Sequence, residues 1–65
     1  MRIEFDKEAD AAYIYLKDVH EGEAVRTITI NKDIILDFNS DNKLIGIEVL
    51  NASKNLTKLP EKVTI

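Results

Sequence analysis

Apolar and polar residues alternate with a period of two along most of this chain, in five separate runs. That period puts successive side chains on opposite faces, so each run predicts a β-strand. Ile3 and Phe5 alternate with Arg2 and Glu4, predicting a strand over 2–5. Ala11 to Lys17 carries Tyr13 and Tyr15 on one face and Ala12, Ile14 and Leu16 on the other. Bulky groups on both faces predict a strand inside the sheet. Val25 to Ile30 is β-branched almost throughout, with Ile28 and Ile30 facing one way and Thr27 and Thr29 the other. Ile34 to Phe38 sets Ile34, Leu36 and Phe38 against Ile35 and Asp37. Leu44 to Leu50 sets Ile45, Ile47 and Val49 against Leu44, Gly46, Glu48 and Leu50. Gly46 in mid-strand predicts a bulge or a close approach by a neighbour.

The segments between the runs are rich in turn-forming residues. Asp6 to Asp10, Asn31-Lys32-Asp33 and Asn39 to Lys43 are short enough for hairpins. Asp18 to Glu23 is a charged loop with one Gly. After Leu50 the pattern changes: Asn51 is placed to act as N-cap of one or two helical turns over 52–57. Pro60 then interrupts, and Val63-Thr64-Ile65 reads as a frayed tail or an added edge strand. The fold expected is mainly β, a small α+β domain. It is a curled five-stranded antiparallel meander with a short C-terminal helix. It forms a single domain over 1–65, with 57–65 as the tail. One or two turns of helix hardly cover a five-stranded sheet, so an apolar face is left wanting a partner.

Composition narrows function mainly by exclusion. A chain of 65 residues hides only about 60% of its unfolded surface. Without Cys it has no disulfides, no thiolate zinc site and no Cys nucleophile. Association is the remaining source of stability, which predicts a homodimer or a small protein partner. The net charge of −3 gives no basic clamp for nucleic acid and no patch for anionic lipid. Lys54, Lys58 and Lys62 read as a solvated face. No apolar run reaches the roughly 20 residues of a membrane span. Met1 to Asp6 has no signal-peptide stretch, so the cytoplasm is the expected compartment.

The pattern closest to a chemical site runs from Asp37 to Glu48. Asp37, Asn39, Asp41 and Glu48 fall at positions one, three, five and twelve, the spacing of an EF-hand calcium loop. Position six holds Asn42 instead of Gly, and both flanks read as strands rather than helices. A polar hairpin turn explains the same residues. Asp6, Glu8 and Asp10 form a second acidic group, read more simply as acceptors for turn backbone. His20 is the sole His and has no nucleophile beside it. Ser40 and Ser53 have no visible base. Tyr13 and Tyr15 are candidates for an interaction surface or core packing. No catalytic or cofactor-binding residue is assigned, and no cofactor is expected.

Two blocks carry a family resemblance. Phe5-Asp6-Lys7-Glu8-Ala9-Asp10-Ala11-Ala12-Tyr13-Ile14-Tyr15-Leu16 resembles the aromatic-Asp-x-Glu-Ala-Asp-Ala-x-Tyr-Ile opening of the small prokaryotic domain of unknown function family 2283. Asp37-Phe38 through Gly46-Ile47-Glu48-Val49-Leu50, followed by Ala52-Ser53, is similar to that family's second block. Phe5, Ala12 and Asn42 depart from it, standing where Tyr, Leu and a turn Gly are common. Asp6, Glu8, Asp10, Gly46 and Glu48 match it. The family has no established catalytic residues to carry over. The resemblance also implies gene neighbours that are small proteins similar to toxin-like or nuclease-like partners, which fits a neutralising or chaperoning role. The reading overall is a small acidic interaction module, a homodimer or an accessory partner of a small basic protein, with no enzymatic activity assigned. The alternative is a metal-binding protein or metal-dependent enzyme using Asp6, Glu8, Asp10, Asp37, Asp41 and Glu48.

Overall fold

In a computed structural model, which describes residues 1–60, five strands and one helix follow in order. They are β1 (Arg2–Asp6), β2 (Ala11–Tyr15), β3 (Arg26–Asn31), β4 (Ile34–Phe38), β5 (Leu44–Val49) and α1 (Ala52–Asn55). All pairings are antiparallel, and the sheet order is β1-β2-β5-β4-β3. The antiparallel sheet is as the alternation predicts, and the helix expected over 52–57 is present as the shorter Ala52–Asn55. Of the expected tail over 57–65, residues 61–65, with the alternative edge strand over 63–65, lie outside the described residues.

The meander is interrupted once. Neighbours in sequence pair at β1–β2, β3–β4 and β4–β5, but β2 pairs with β5 and β3 lies at the far edge. The link over 16–25 therefore passes three strand spacings, about 14 Å, which ten extended residues span easily. It stays at one end of the sheet, because β2 ends and β3 begins there. Glu23 shapes it: its carboxylate accepts the His20 N–H at 3.0 Å and pairs with Lys17, and its N–H reaches the His20 carbonyl at 3.0 Å. His20 itself is exposed.

Register fixes the two faces. Ile3 lies opposite Ile14, Ile14 opposite Ile47, Leu36 opposite Ile47, and Ile28 opposite Leu36. Those residues form an apolar face with Phe5, Ala12, Ile34, Ile45 and Val49. Arg2, Glu4, Tyr13, Tyr15, Glu48, Asp37 and Thr27 share the opposite, polar face. The helix covers only one end of the apolar face. Ala12, Val49 and Ala52 are buried there, with Phe5, Ile47 and Leu56 packed against them.

The end that α1 covers is also where the β1–β2 and β3–β4 turns lie. Its first amides are bonded to the β1–β2 turn: Ala52 N–H to the Asp10 carbonyl at 2.8 Å, and Ser53 N–H to Asp10 Oδ1 at 3.0 Å. The Ser53 hydroxyl donates to Asp10 Oδ2 at 2.6 Å. Asn51 does occupy the N-cap position, but its side chain caps nothing. Its backbone is left-handed, with φ 49°. Its amide reaches instead to Asp33 Oδ1 in the β3–β4 turn, at 3.0 Å.

Candidate functional site

The most organised group of side chains crosses the polar face, drawn from β1, β2, β4 and β3 and passing over Gly46 of β5. Arg2 lays its guanidinium 4.2 Å from the Tyr15 ring centre. The Tyr15 hydroxyl donates to Glu4 Oε1 at 3.0 Å. Tyr13 packs beside Tyr15 with ring centres 4.5 Å apart. The Tyr13 hydroxyl donates to Asp37 Oδ2 at 2.5 Å, and Thr27 Oγ1 donates to Asp37 Oδ1 at 3.1 Å. Period two produces this row: Tyr13 and Tyr15 point the same way, and the register brings Glu4 and Glu48 opposite Tyr13 and Asp37 opposite Gly46.

Gly46 leaves the room for it. A Cβ there would lie 2.2 Å from Tyr13 Oη and 2.6 Å from Cζ, so the phenol occupies the space of the missing side chain. The sequence predicts either a bulge or a close approach at Gly46, and both are present. A register shift sits beside it, between Asp37 and Phe38 on β4. Burial, then the hydrogen bond and charge of Asp37, push the Tyr13 phenol well above its ordinary value of 10.0. Tyr13 therefore keeps its proton at neutral pH and acts as a donor.

The four residues with calcium-loop spacing are not brought together. Asp37 is held by Tyr13 and Thr27 on the polar face. Asn39 Oδ1 accepts the N–H groups of Asp41 and Lys43, both at 3.0 Å, which closes the turn. Asp41 is exposed at that turn. Glu48 lies four residues along β5 from Leu44, about 14 Å at strand rise. A strand carries its twelfth ligand away from the loop, where a helix would return it. Asn42 supplies the left-handed residue, with φ 64°, and accepts a hydrogen bond from Arg26.

In the acidic group Asp6, Glu8, Asp10, the first and last side chains have backbone roles. Asp6 Oδ1 accepts the N–H groups of Glu8 and Ala9, both at 3.1 Å, so Asp6 and not Glu8 caps that turn. Asp10 accepts the helix amides. Ser53 serves the same contact, and Ser40 is exposed in its turn. Among the described residues, no three His, Cys, Asp or Glu side chains gather to hold an ion.

The sequence reading missed a second polar cluster. Asp33 is only 5% exposed and accepts from both Asn51 and Asn55, each at 3.0 Å. The Leu50 N–H also meets the Asp33 carbonyl at 2.7 Å. The Asn55 and Asn51 amides hold the Asp33 carboxyl below its ordinary value of 3.8. The available signal was Asn51-x-x-x-Asn55, a spacing that puts two amides on one side of a helical turn.

The fold and its site thus define a small single-sheet protein in which Asp6, Asp10, Asp33, Asp37 and Asn39 hold other parts of the chain in place. The chain belongs to the family described as "Protein of unknown function (DUF2283)", which matches residues 2–53. Both resembling blocks fall within that span. No curated protein and no solved structure matches the chain.

Proposed function

We propose that this protein is an acidic protein-interaction module, working in the cytoplasm as a homodimer or as the accessory, neutralising partner of a small basic protein. The observation that carries the reading is how little of the apolar face α1 covers. Four helical residues extend about 6 Å, against about 19 Å across five strands. Ile28 and Leu16 are each 37% exposed, and Ile30 is 60% exposed. The charge of −3 favours a basic partner over nucleic acid and speeds encounter at low salt. Tyr13 and Tyr15 offer a rigid, half-buried surface on the opposite face, to which an aromatic or basic group can dock.

The test combines native mass with capture from host lysate at low and high salt. The expected result is a particle larger than one chain, or one stoichiometric basic partner that high salt removes. A lone chain at every concentration that captures nothing overturns the reading.

A further inference from the structure

We propose that β3 is the edge through which two copies of this chain join, antiparallel about Ile28, into one continuous sheet. This deepens the interaction-module reading and rests on it.

The two edges of the sheet differ. The outer strand β1 carries Arg2, Glu4 and Asp6 at alternate positions, the kind of charge that keeps an edge from pairing. All six residues of β3 are exposed, and Thr27-Ile28-Thr29-Ile30 is an unbroken β-branched run. It has no Pro, Lys or acid. Its one charge, Arg26, folds back onto its own sheet, 4.7 Å from the Phe38 ring centre, and donates to Asn42. The bulge between Thr29 and Asn31 lies past the centre, which leaves Arg26 to Thr29 in regular pairing with β4.

The same features select the occupant. A basic segment seeks carboxylates, and this edge has none, although the chain holds 12 Asp and Glu. A second copy brings no carboxylate and no like charge into the centre of the pairing, because its one charge, Arg26, turns back onto Phe38 and Asn42 of its own sheet. Two-fold symmetry about an axis normal to the sheet gives antiparallel pairing and keeps each face continuous. Residues that meet must then share a face, and centring on Ile28 sets Ile28 against Ile28 and Thr27 against Thr29. Matched β-branched and Thr–Thr pairs of this kind favour pairing. The joined sheet also brings the exposed Ile28 side chains together on the apolar face. One strand pair is a small interface, below about 1,200 Å², so exchange between one and two copies falls at workable concentrations.

The test uses sedimentation across a wide concentration range together with single-cysteine variants. Because the chain has no Cys, any disulfide must link two copies. Ile28→Cys is expected to cross-link under mild oxidation, since opposed strand residues lie within disulfide reach. Glu4→Cys, on the other edge, is expected to stay unlinked. Ile30→Lys alters an exposed position and is expected to keep the fold while weakening association at least about tenfold. Linking through Glu4→Cys but not Ile28→Cys overturns the edge assignment. A wild-type single chain that still captures a basic protein overturns the dimer and leaves the interaction module standing. A single chain that captures nothing overturns both.

Discussion

Tyr13 fills the space that Gly46 leaves empty, and its hydroxyl is fixed there by Asp37. Gly46→Ala therefore forces the phenol out of a place it holds by stacking and hydrogen bonding. Such overpacking costs about 1–3 kcal/mol. The thermal midpoint should fall by about 4–8 °C per kcal/mol in a domain of this size. Tyr13→Ala in the same background should relieve much of the clash, so the two changes should be clearly non-additive in a melting cycle. Strict additivity would show that the contact does not limit position 46. Tyr13 also sets an alkaline limit. Because its folded-state pKa is raised, its contribution is complete below 10.0 and declines as pH climbs past that value. Phenolate absorbance should show one late-titrating tyrosine, and Tyr13→Phe should remove that late step. An unchanged titration in Tyr13→Phe would contradict the assignment.

Among the elements, α1 is held by contacts from other parts of the chain more than by its own sequence. Four residues are too few to be stable alone. Asp10 satisfies its first amides from a turn 43 residues away, and Asp33 anchors Asn51 and Asn55. Asp10→Ala should cost about 0.5–2 kcal/mol, and Asp10→Asn less, because Asn tolerates the left-handed φ of 53°. Chemical denaturation resolves the difference, and equal losses would count against the cap. Asp33 has its pKa lowered, so its contribution is present above 3.8 and is lost as pH falls through the folded-state value. Asp33→Asn should flatten the acid limb of the stability curve. A limb as steep as wild type would place that acid sensitivity elsewhere. These elements also mark where the sequence was legible. Ile34–Phe38 is the strand that alternation predicts, and the other boundaries differ by one or two residues, because period two is a local property. Asn51 is legible as a helix start from its residue type. Its true partner, Asp33, depends on bringing two distant turns to one end, which no local pattern encodes.

For the molecule as a whole, the strand order was the part hidden from local reading. Hydrophobic alternation assigns faces but not neighbours, so β5 between β2 and β4 followed only from three-dimensional pairing. If two copies share the β3 edge, the denaturation midpoint should rise with protein concentration, since association stabilises only the folded form. A midpoint independent of concentration would argue for a self-sufficient single chain. The strand order also bears on how the chain is made. The β1–β2 hairpin leaves the ribosome first, yet its inner strand pairs with β5, Ala12 meeting Val49 from 37 residues later. A lone two-stranded hairpin is marginal in water. The β3–β4–β5 unit joins only sequence neighbours and has the shorter loops to close. The β1–β2 hairpin, made before β5, therefore gains its inner sheet neighbour only once β5 is in place. A chain severed at Gly22 would yield two fragments, each incomplete by itself, able to recombine along the seam between β2 and β5.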